Sequence, residues 1–319
     1  MLPTVTILMA IYKPNIQWLE EQLISLNNQT YSNLKLLVWN DCPDDKTDYN
    51  EFFSRYINKY PYALYKGEKN MGSNKAFEIL TELADTDYVA YCDQDDVWLP
   101  QKLEVLVDFA IKENAGLLCS DMQIIDGNGK LVANSITTVR PHHVFVNTDK
   151  KFESLCSRNF IVGCTTLVKT ELAKKAVPFP DEFVHDWWIG LNVAIEDKIF
   201  IINKPLIQYR IHGNNQTGVM MGVKDHLSYY EKRIKPEVKR SEIILNKFKN
   251  TNINKYFYKF NDYTLCRERY FYKHSFSNFF SLFKYMSINP SIVLFELIMP
   301  VIPMSIFMLI INKIRQGKL

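Results

Sequence analysis

Four short apolar runs constrain this fold more than any other feature of the chain. They are residues 5–10 (VTILMA), 34–39, 88–92 and 117–119. Runs without polar alternation read as strands covered on both faces. Between them lie segments with helical spacing: residues 16–28, with Trp18, Leu19, Leu23 and Leu26 on one side, then 49–60, 72–84 and 100–114. Pro100 suits a first helical turn. A short further strand is expected at residues 63–65. Strands alternating with helices imply an α/β domain, a mostly parallel sheet with helices on both faces. Farther on, residues 121–160 read as irregular, with a turn at Asp126-Gly127-Asn128-Gly129. Residues 160–168 are expected to form a strand, 186–194 a helix, and 199–202 and 206–210 two more strands. Beyond Gly222 the pattern turns helical, basic and aromatic.

In such sheets ligands bind at the carboxyl ends of the strands. Tyr12, Asp41 and the cluster Asp93, Asp95, Asp96 all fall at those ends. No GxGxxG follows the first strand, so a dinucleotide site is not expected. The acidic cluster raises its own question, because carboxylates this close repel unless something positive lies between them. In an extended chain, residues i and i+2 share a side. Asp93 and Asp95 are therefore expected to project together, with Gln94 and Asp96 turned away. Two convergent carboxylates suit Mg2+ or Mn2+, with water and substrate phosphates completing the shell. The alternative is a solvated acidic turn ahead of the helix that follows Pro100.

Charge is unevenly placed. Residues 1–218 hold 21 lysines and arginines against 28 acids, whereas residues 219–319 hold 17 against 7. An acidic body with a basic C-terminal third calls for two explanations. The six cysteines, Cys42, Cys92, Cys119, Cys156, Cys164 and Cys266, form no CxxC pair, and several sit inside apolar runs. This pattern fits a reducing, cytoplasmic compartment without a zinc site. Residues 2–12 are too short, and lack the basic start, for a signal peptide.

The motifs resemble family 2 glycosyltransferases of the GT-A fold. The likeness rests on "VTILMAIYKP", "LLVWNDCPDD", "YCDQDDVWLPQKL" and "HDWW", in that order. A fifth stretch, "YRIHGNNQTG", is similar to a subgroup rich in rhamnosyltransferases of bacterial capsule and surface polysaccharides. The match covers about residues 3–218, which the resemblance divides into a nucleotide-sugar half, about 1–121, and an acceptor half, about 122–218. It implies that Ala10, Ile11 and Tyr12 line the nucleobase pocket and that Asp41 accepts from the base N3–H. Gly72 and Asn74 would lie beside the nucleotide or donor sugar, Asp93 at the ribose with Gln94 in the donor site, and Asp96 near the donor sugar. Asp95 and His212 would hold the metal, with Arg210 at the diphosphate. Asp186 would be the catalytic base of an inverting transfer, and His185 and Trp187 would shape the acceptor pocket, with Trp188 in the core. The chain departs from the pattern where Cys42-Pro43 replaces a flexible Gly-Ser turn, so base selectivity is not inherited.

The tail, residues 219–319, carries an apolar aromatic stretch at 276–286 and a second one at 291–311, in which Glu296 is the one charge. As a single helix, the second could cross a ~30 Å hydrocarbon core. Pro300 and Pro303 would kink it, and a carboxylate at mid-bilayer would cost roughly 2.5–3.5 kcal/mol. Helices lying in the interface, or entering one leaflet, are expected instead, with Lys313, Arg315 and Lys318 at anionic head groups. The alternative is a helical subdomain packed on the core, or a homo-oligomer interface. The expected activity is transfer of a sugar, L-rhamnose from dTDP-rhamnose or a hexose from a UDP-sugar. The acceptor would be a saccharide on a lipid at the inner leaflet. Rival readings are a nucleotidyltransferase, disfavoured by the missing Gly-rich basic loop, and a non-catalytic nucleotide-sugar-binding scaffold. Nucleic acid is not an expected partner, because the basic residues share their segment with apolar stretches.

Overall fold

The computed structural model describes residues 2–140, 143, 145–146, 150–196, 198–212, 220–249 and 255–315. The chain forms two compact units, Met1–Leu155 with Asn159–Gly213, and Cys156–Arg158 with Asn214–Leu319. The expected boundary at 218/219, residues 213–218 of the fifth stretch and Lys318 lie outside the described residues.

The first unit is built on one mixed sheet. Its strands are β1 (Val5–Ile11), β2 (Leu34–Asn40), β3 (Tyr62–Lys66), β4 (Tyr88–Cys92), β5 (Val97–Trp98), β6 (Leu117–Ile125), β7 (Leu131–Ala133), β8 (Thr166–Lys169) and β9 (Ile199–Arg210). They run in the order β3-β2-β1-β4-β8-β6-β9-β5, with β7 on β6. Pairing is parallel from β3 through β4 and between β6 and β9, and antiparallel at β8, β5 and β7. β4 is buried at every position and β1 at all but Ala10, so both faces are covered. The helices are α1 (Ile16–Asn27), α2 (Tyr49–Tyr56), α3 (Ser73–Leu83), α4 (Lys102–Glu113), α5 (Ile136–Val139), α6 (Lys151–Ser157), α7 (Thr170–Lys175) and α8 (His185–Glu196).

Three expectations need correction. Residues 160–168 are not one strand: a 3-10 turn, Gly163–Thr165, precedes β8. Asn159 Oδ1 accepts from Ile161 N, while the Thr165 and Thr166 hydroxyls donate to the carbonyls of Val162 and Gly163. Such side-chain bonds satisfy backbone groups that a ladder would otherwise take. The strand at residue 117 continues to Ile125, because β9 pairs with it along that length. Residue 121 therefore lies inside a strand that the two expected halves would share. Finally, residues 199–210 form a single strand, whose pairing slips in register around Asp121.

The second unit is helical: α9 (His226–Tyr229), a π turn (Tyr230–Ile234), α10 (Lys235–Phe248), α11 (Lys255–Tyr272), α12 (Phe276–Phe283), α13 (Pro290–Ile298) and α14 (Met304–Arg315). Its core gathers Val223, Tyr229, Tyr230, Ile234, Phe307 and Ile311. The apolar stretch 291–311 is divided between α13 and α14, with the break holding Pro300 and Pro303. Proline lacks the amide proton that a continuous helix needs. Among the described residues no helix is long and apolar enough to cross a membrane. Glu296 is buried, and Arg267 donates to both of its carboxylate oxygens.

Candidate active site

Parallel register carries the ends of β1, β2 and β4 to one edge, pairing Ile11 with Asn40 and Met9 with Cys92. Gln94 clamps the loop after β1. Its Oε1 accepts from Tyr12 N at 2.8 Å, and its Nε2 donates to Tyr12 O at 3.3 Å. The Tyr12 ring is exposed, Ile11 is buried and Ala10 half-buried. Asp41 is buried and accepts from Trp39 Nε1 at 3.3 Å, Met71 N at 3.0 Å and Gly72 N at 2.8 Å. The expected acceptor for a base N3–H is thus already engaged by its own chain, which it folds into the turn before α3. Gly72 holds φ at +82°, a conformation that favours glycine, and the space a Cβ would occupy is open. Asn74 donates to Phe183 O at 3.1 Å, and its Oδ1 is buried without a partner.

The acidic cluster does not follow strand alternation. β4 ends at Cys92 and the chain bends at Gln94-Asp95. In consequence Asp93 lies with Asp96 and Cys164, their ligand atoms within 4.8 Å of one another. Asp95 instead meets His212, with Oδ2 2.8 Å from Nε2, and the His212 ring packs 4.8 Å from that of Trp18. Asp96, expected beside the donor sugar, is fully buried; Arg210 N donates to its Oδ1, and its Oδ2 has no hydrogen-bond partner. Burial, reinforced by Asp95 and Asp93, pushes its carboxyl well above the usual range. Burial and then the Asp95 charge raise Asp93 to about 7.

Arg210, expected at the diphosphate, is held by contacts within the chain. It is buried, donating from Nε to Asp95 O at 2.7 Å and from Nη1 to Asp126 O at 3.3 Å, with Nη2 2.5 Å from Glu21. The long strand β9 carries it there to brace the turn that presents Asp95. Lys102, which the sequence reading passed over, is fully buried in α4. Its Nζ donates to Cys164 O at 2.6 Å and lies 3.0 Å from the Trp98 ring centre. Burial pulls its ammonium down to about 7.

The residues can be tested against a divalent cation by their donor chemistry. Asp95 and His212 bring a carboxylate oxygen and an imidazole nitrogen together, and the imidazole favours Mn2+ over Mg2+. The Asp93–Asp96–Cys164 group fits less well, because hard cations take oxygen donors and burial holds the Cys164 thiol protonated.

At the start of α8, Asp186 Oδ1 accepts from Asn159 Nδ2 at 2.9 Å and Oδ2 from Gly163 N at 2.8 Å. Burial raises its carboxyl to about 6, against the pull of those two bonds. His185, expected in the acceptor pocket, is half-buried, with its ring 4.3 Å from that of Phe77 and 4.9 Å from that of Tyr91. Burial depresses its imidazole to about 3, so it stays neutral. Trp187 donates to Leu155 O and packs edge-on against Phe183, while Trp188 is core and donates to Ala176 O.

Asn159 and Gly163 were also missed. A lone glycine inside an apolar run is the signal that marks Gly163, since it often denotes a close backbone approach. A Cβ there would stand 2.6 Å from His185 Nε2. Gly163→Ala is expected to destabilise the fold by about 1–3 kcal/mol and to lower turnover by displacing Asp186. Chemical denaturation and a transfer assay on the same protein check both effects.

The family model for "Glycosyl transferase family 2" matches residues 6–176. The chain is 28% identical over 214 residues to the UDP-Glc:alpha-D-GlcNAc-diphosphoundecaprenol beta-1,3-glucosyltransferase WfgD of Escherichia coli, covering 65% of this chain and 77% of that protein. It is 26% identical over 224 residues to the dTDP-rhamnosyl transferase RfbG of Shigella flexneri, covering 65% and 73%. Among solved structures it is similar to S. aureus TarS 1-349 in complex with UDP-GlcNAc, with a TM-score of 0.62 at 15% identity over 99% of this chain and 92% of that one. It is also similar to the mannosyltransferase PcManGT from Pyrobaculum calidifontis in complex with GDP-Man and Mn2+, with a TM-score of 0.57 at 15% identity over 98% and 81%. The chain has the GT-A fold and belongs to glycosyl transferase family 2.

Proposed function

We propose that this transferase is metal-dependent and inverting, moving a sugar from a nucleoside diphosphate donor to a hydroxyl of a saccharide acceptor. The observation that carries the reading is the half-buried Asp186 carboxylate, oriented by Asn159 and Gly163 and raised to about 6. A base working near neutral pH needs an affinity of that order. As the acceptor oxygen bonds to the anomeric carbon from the face opposite the nucleotide, its proton passes to Asp186 and the bond from carbon to diphosphate breaks. Positive charge builds on the sugar ring, as in glycoside hydrolysis. Asp95 and His212 hold the cation, which when bound stabilises charge on the leaving diphosphate. Asp93 serves the ribose and Gly72 leaves room beside the donor. Arg210 and Gln94 act on the turns that present Asp95 and Tyr12.

The proposed donor is dTDP-rhamnose or a UDP-hexose, supported by the names of the two relatives. A lipid-linked acceptor, in the synthesis of a bacterial surface polysaccharide at the cytoplasmic face of the membrane, is supported by the diphosphoundecaprenol in WfgD's name.

Calorimetry with dTDP and with UDP, each with and without Mn2+, tests the site. Wild type is expected to bind one nucleotide in a Mn2+-dependent manner, and Asp95→Ala to lose that dependence. If neither nucleotide shows it, the metal site is wrong. The anomeric configuration of the product, read by NMR, tests inversion.

A further inference from the structure

The second unit carries an apolar surface that its own core leaves uncovered. On α12, Phe276, Phe280 and Phe283 follow each other at i, i+4 and i+7, one stripe of a helix, with exposures of 86%, 59% and 49%. Leu294 and Ile298 repeat the spacing on α13, and Val301 beyond them is 80% exposed. On α14, Ile306 and Leu309 are exposed on the side away from the buried Phe307 and Ile311. Apolar surface of this extent on a water-facing protein marks an interaction site.

Charge decides the occupant. From Arg269 to Arg315 the chain has five basic residues and one acid, Glu296. That acid is buried against Arg267, so every exposed ionised side chain in the segment is positive. Lys273 stands before the phenylalanine stripe, Lys284 directly after it and Lys313 in the last turn of α14, all exposed. A second copy would bring the same positive charge to the same face and be repelled. Exposed phenylalanines and leucines flanked by lysines match the chemistry of an anionic bilayer interface, where the rings enter the acyl boundary and the ammonium groups meet head groups.

We propose that the exposed faces of α12, α13 and α14 form a docking surface for an anionic lipid bilayer, lying in its interface without spanning it. The proposal rests on the reading that the acceptor is lipid-linked, and its test needs no turnover.

The test is sedimentation of the full chain with phosphatidylcholine vesicles, with and without phosphatidylglycerol. Binding is expected to the anionic vesicles and to weaken with salt. Phe276→Ser, Phe280→Ser and Phe283→Ser combined should lower the apparent affinity at least about tenfold. Lys273→Gln, Lys284→Gln and Lys313→Gln combined should lower it by roughly fivefold per lysine on anionic vesicles only. Because Phe280 and Phe283 also pack on Phe279, thermal melting run alongside must show that both variants are folded at the temperature of the assay. Wild type failing to bind anionic vesicles at low salt overturns the proposal, as does undiminished binding by the phenylalanine variant. So does a dimer in sedimentation velocity that the variant abolishes, with no vesicle binding by either protein. Transfer to a soluble acceptor analogue, assayed alongside, separates the two readings: transfer without docking sinks the lipid surface alone, and docking without transfer sinks the catalytic assignment alone.

Discussion

Asp186→Asn is expected to lower turnover by about 10²–10⁴-fold while leaving nucleotide affinity almost unchanged. The carboxylate accepts from Asn159 and Gly163, and neither bond needs the substrate, so the base is oriented before the acceptor arrives. An amide keeps the shape but takes no proton. The pH profile supplies the sharper check. Burial disfavours the ionised form and raises the carboxyl to about 6, and the base works only when ionised. Turnover should therefore rise with pH through about 6, a limb absent from the residual activity of the variant. Stability should move the other way. The folded carboxyl holds its proton more tightly than the unfolded one, so wild type loses stability as pH rises from the ordinary carboxylate range through about 6. Asp186→Asn should melt higher than wild type at pH 8 and alike at pH 4. Full turnover by this variant would sink the base assignment.

Arg267→Ala is expected to destabilise the helical unit by about 3–5 kcal/mol, the cost of leaving a buried charge without its partner. Arg267 is fully buried and reaches Glu296 through Nε at 2.9 Å and Nη2 at 2.6 Å, and Glu237 through Nη1. Once it is removed, two carboxylates remain, and the Tyr229 hydroxyl, donating to Glu296 at 3.0 Å, does not replace the lost positive charge. Arg267→Met combined with Glu296→Leu should recover part of the loss, since an apolar pair needs no partner charge. All five tryptophans lie within residues 1–213, so circular dichroism rather than tryptophan fluorescence must follow this unit. A loss below about 1 kcal/mol, the range of exposed pairs, would mean that water reaches the network.

Residues 5–10 and 88–92 announced covered strands because their side chains are apolar on both faces, and these became β1 and β4. Asp41 and Asp95 drew notice as carboxylates at strand ends, where ligands bind in such sheets, and Asp186 through the likeness of "HDWW" to the family's motif. The break in residues 291–311 was equally local, since proline interrupts any helix. Lys102 and Arg210 were harder to place. A lysine in "PQKL" reads as solvated, and an arginine near a diphosphate motif reads as a ligand, but α4 and β9 turn both inward onto backbone carbonyls.

Local chemistry by itself determined the α/β class, the strands and the residues worth watching, because hydrophobic period and backbone restriction act within a few residues. The pairing of Asp95 with His212, and the grouping of Asp93 with Asp96 and Cys164, were decided by tertiary structure. A bend after β4 cancels strand alternation, and the two partners stand 117 residues apart, a distance no local pattern spans.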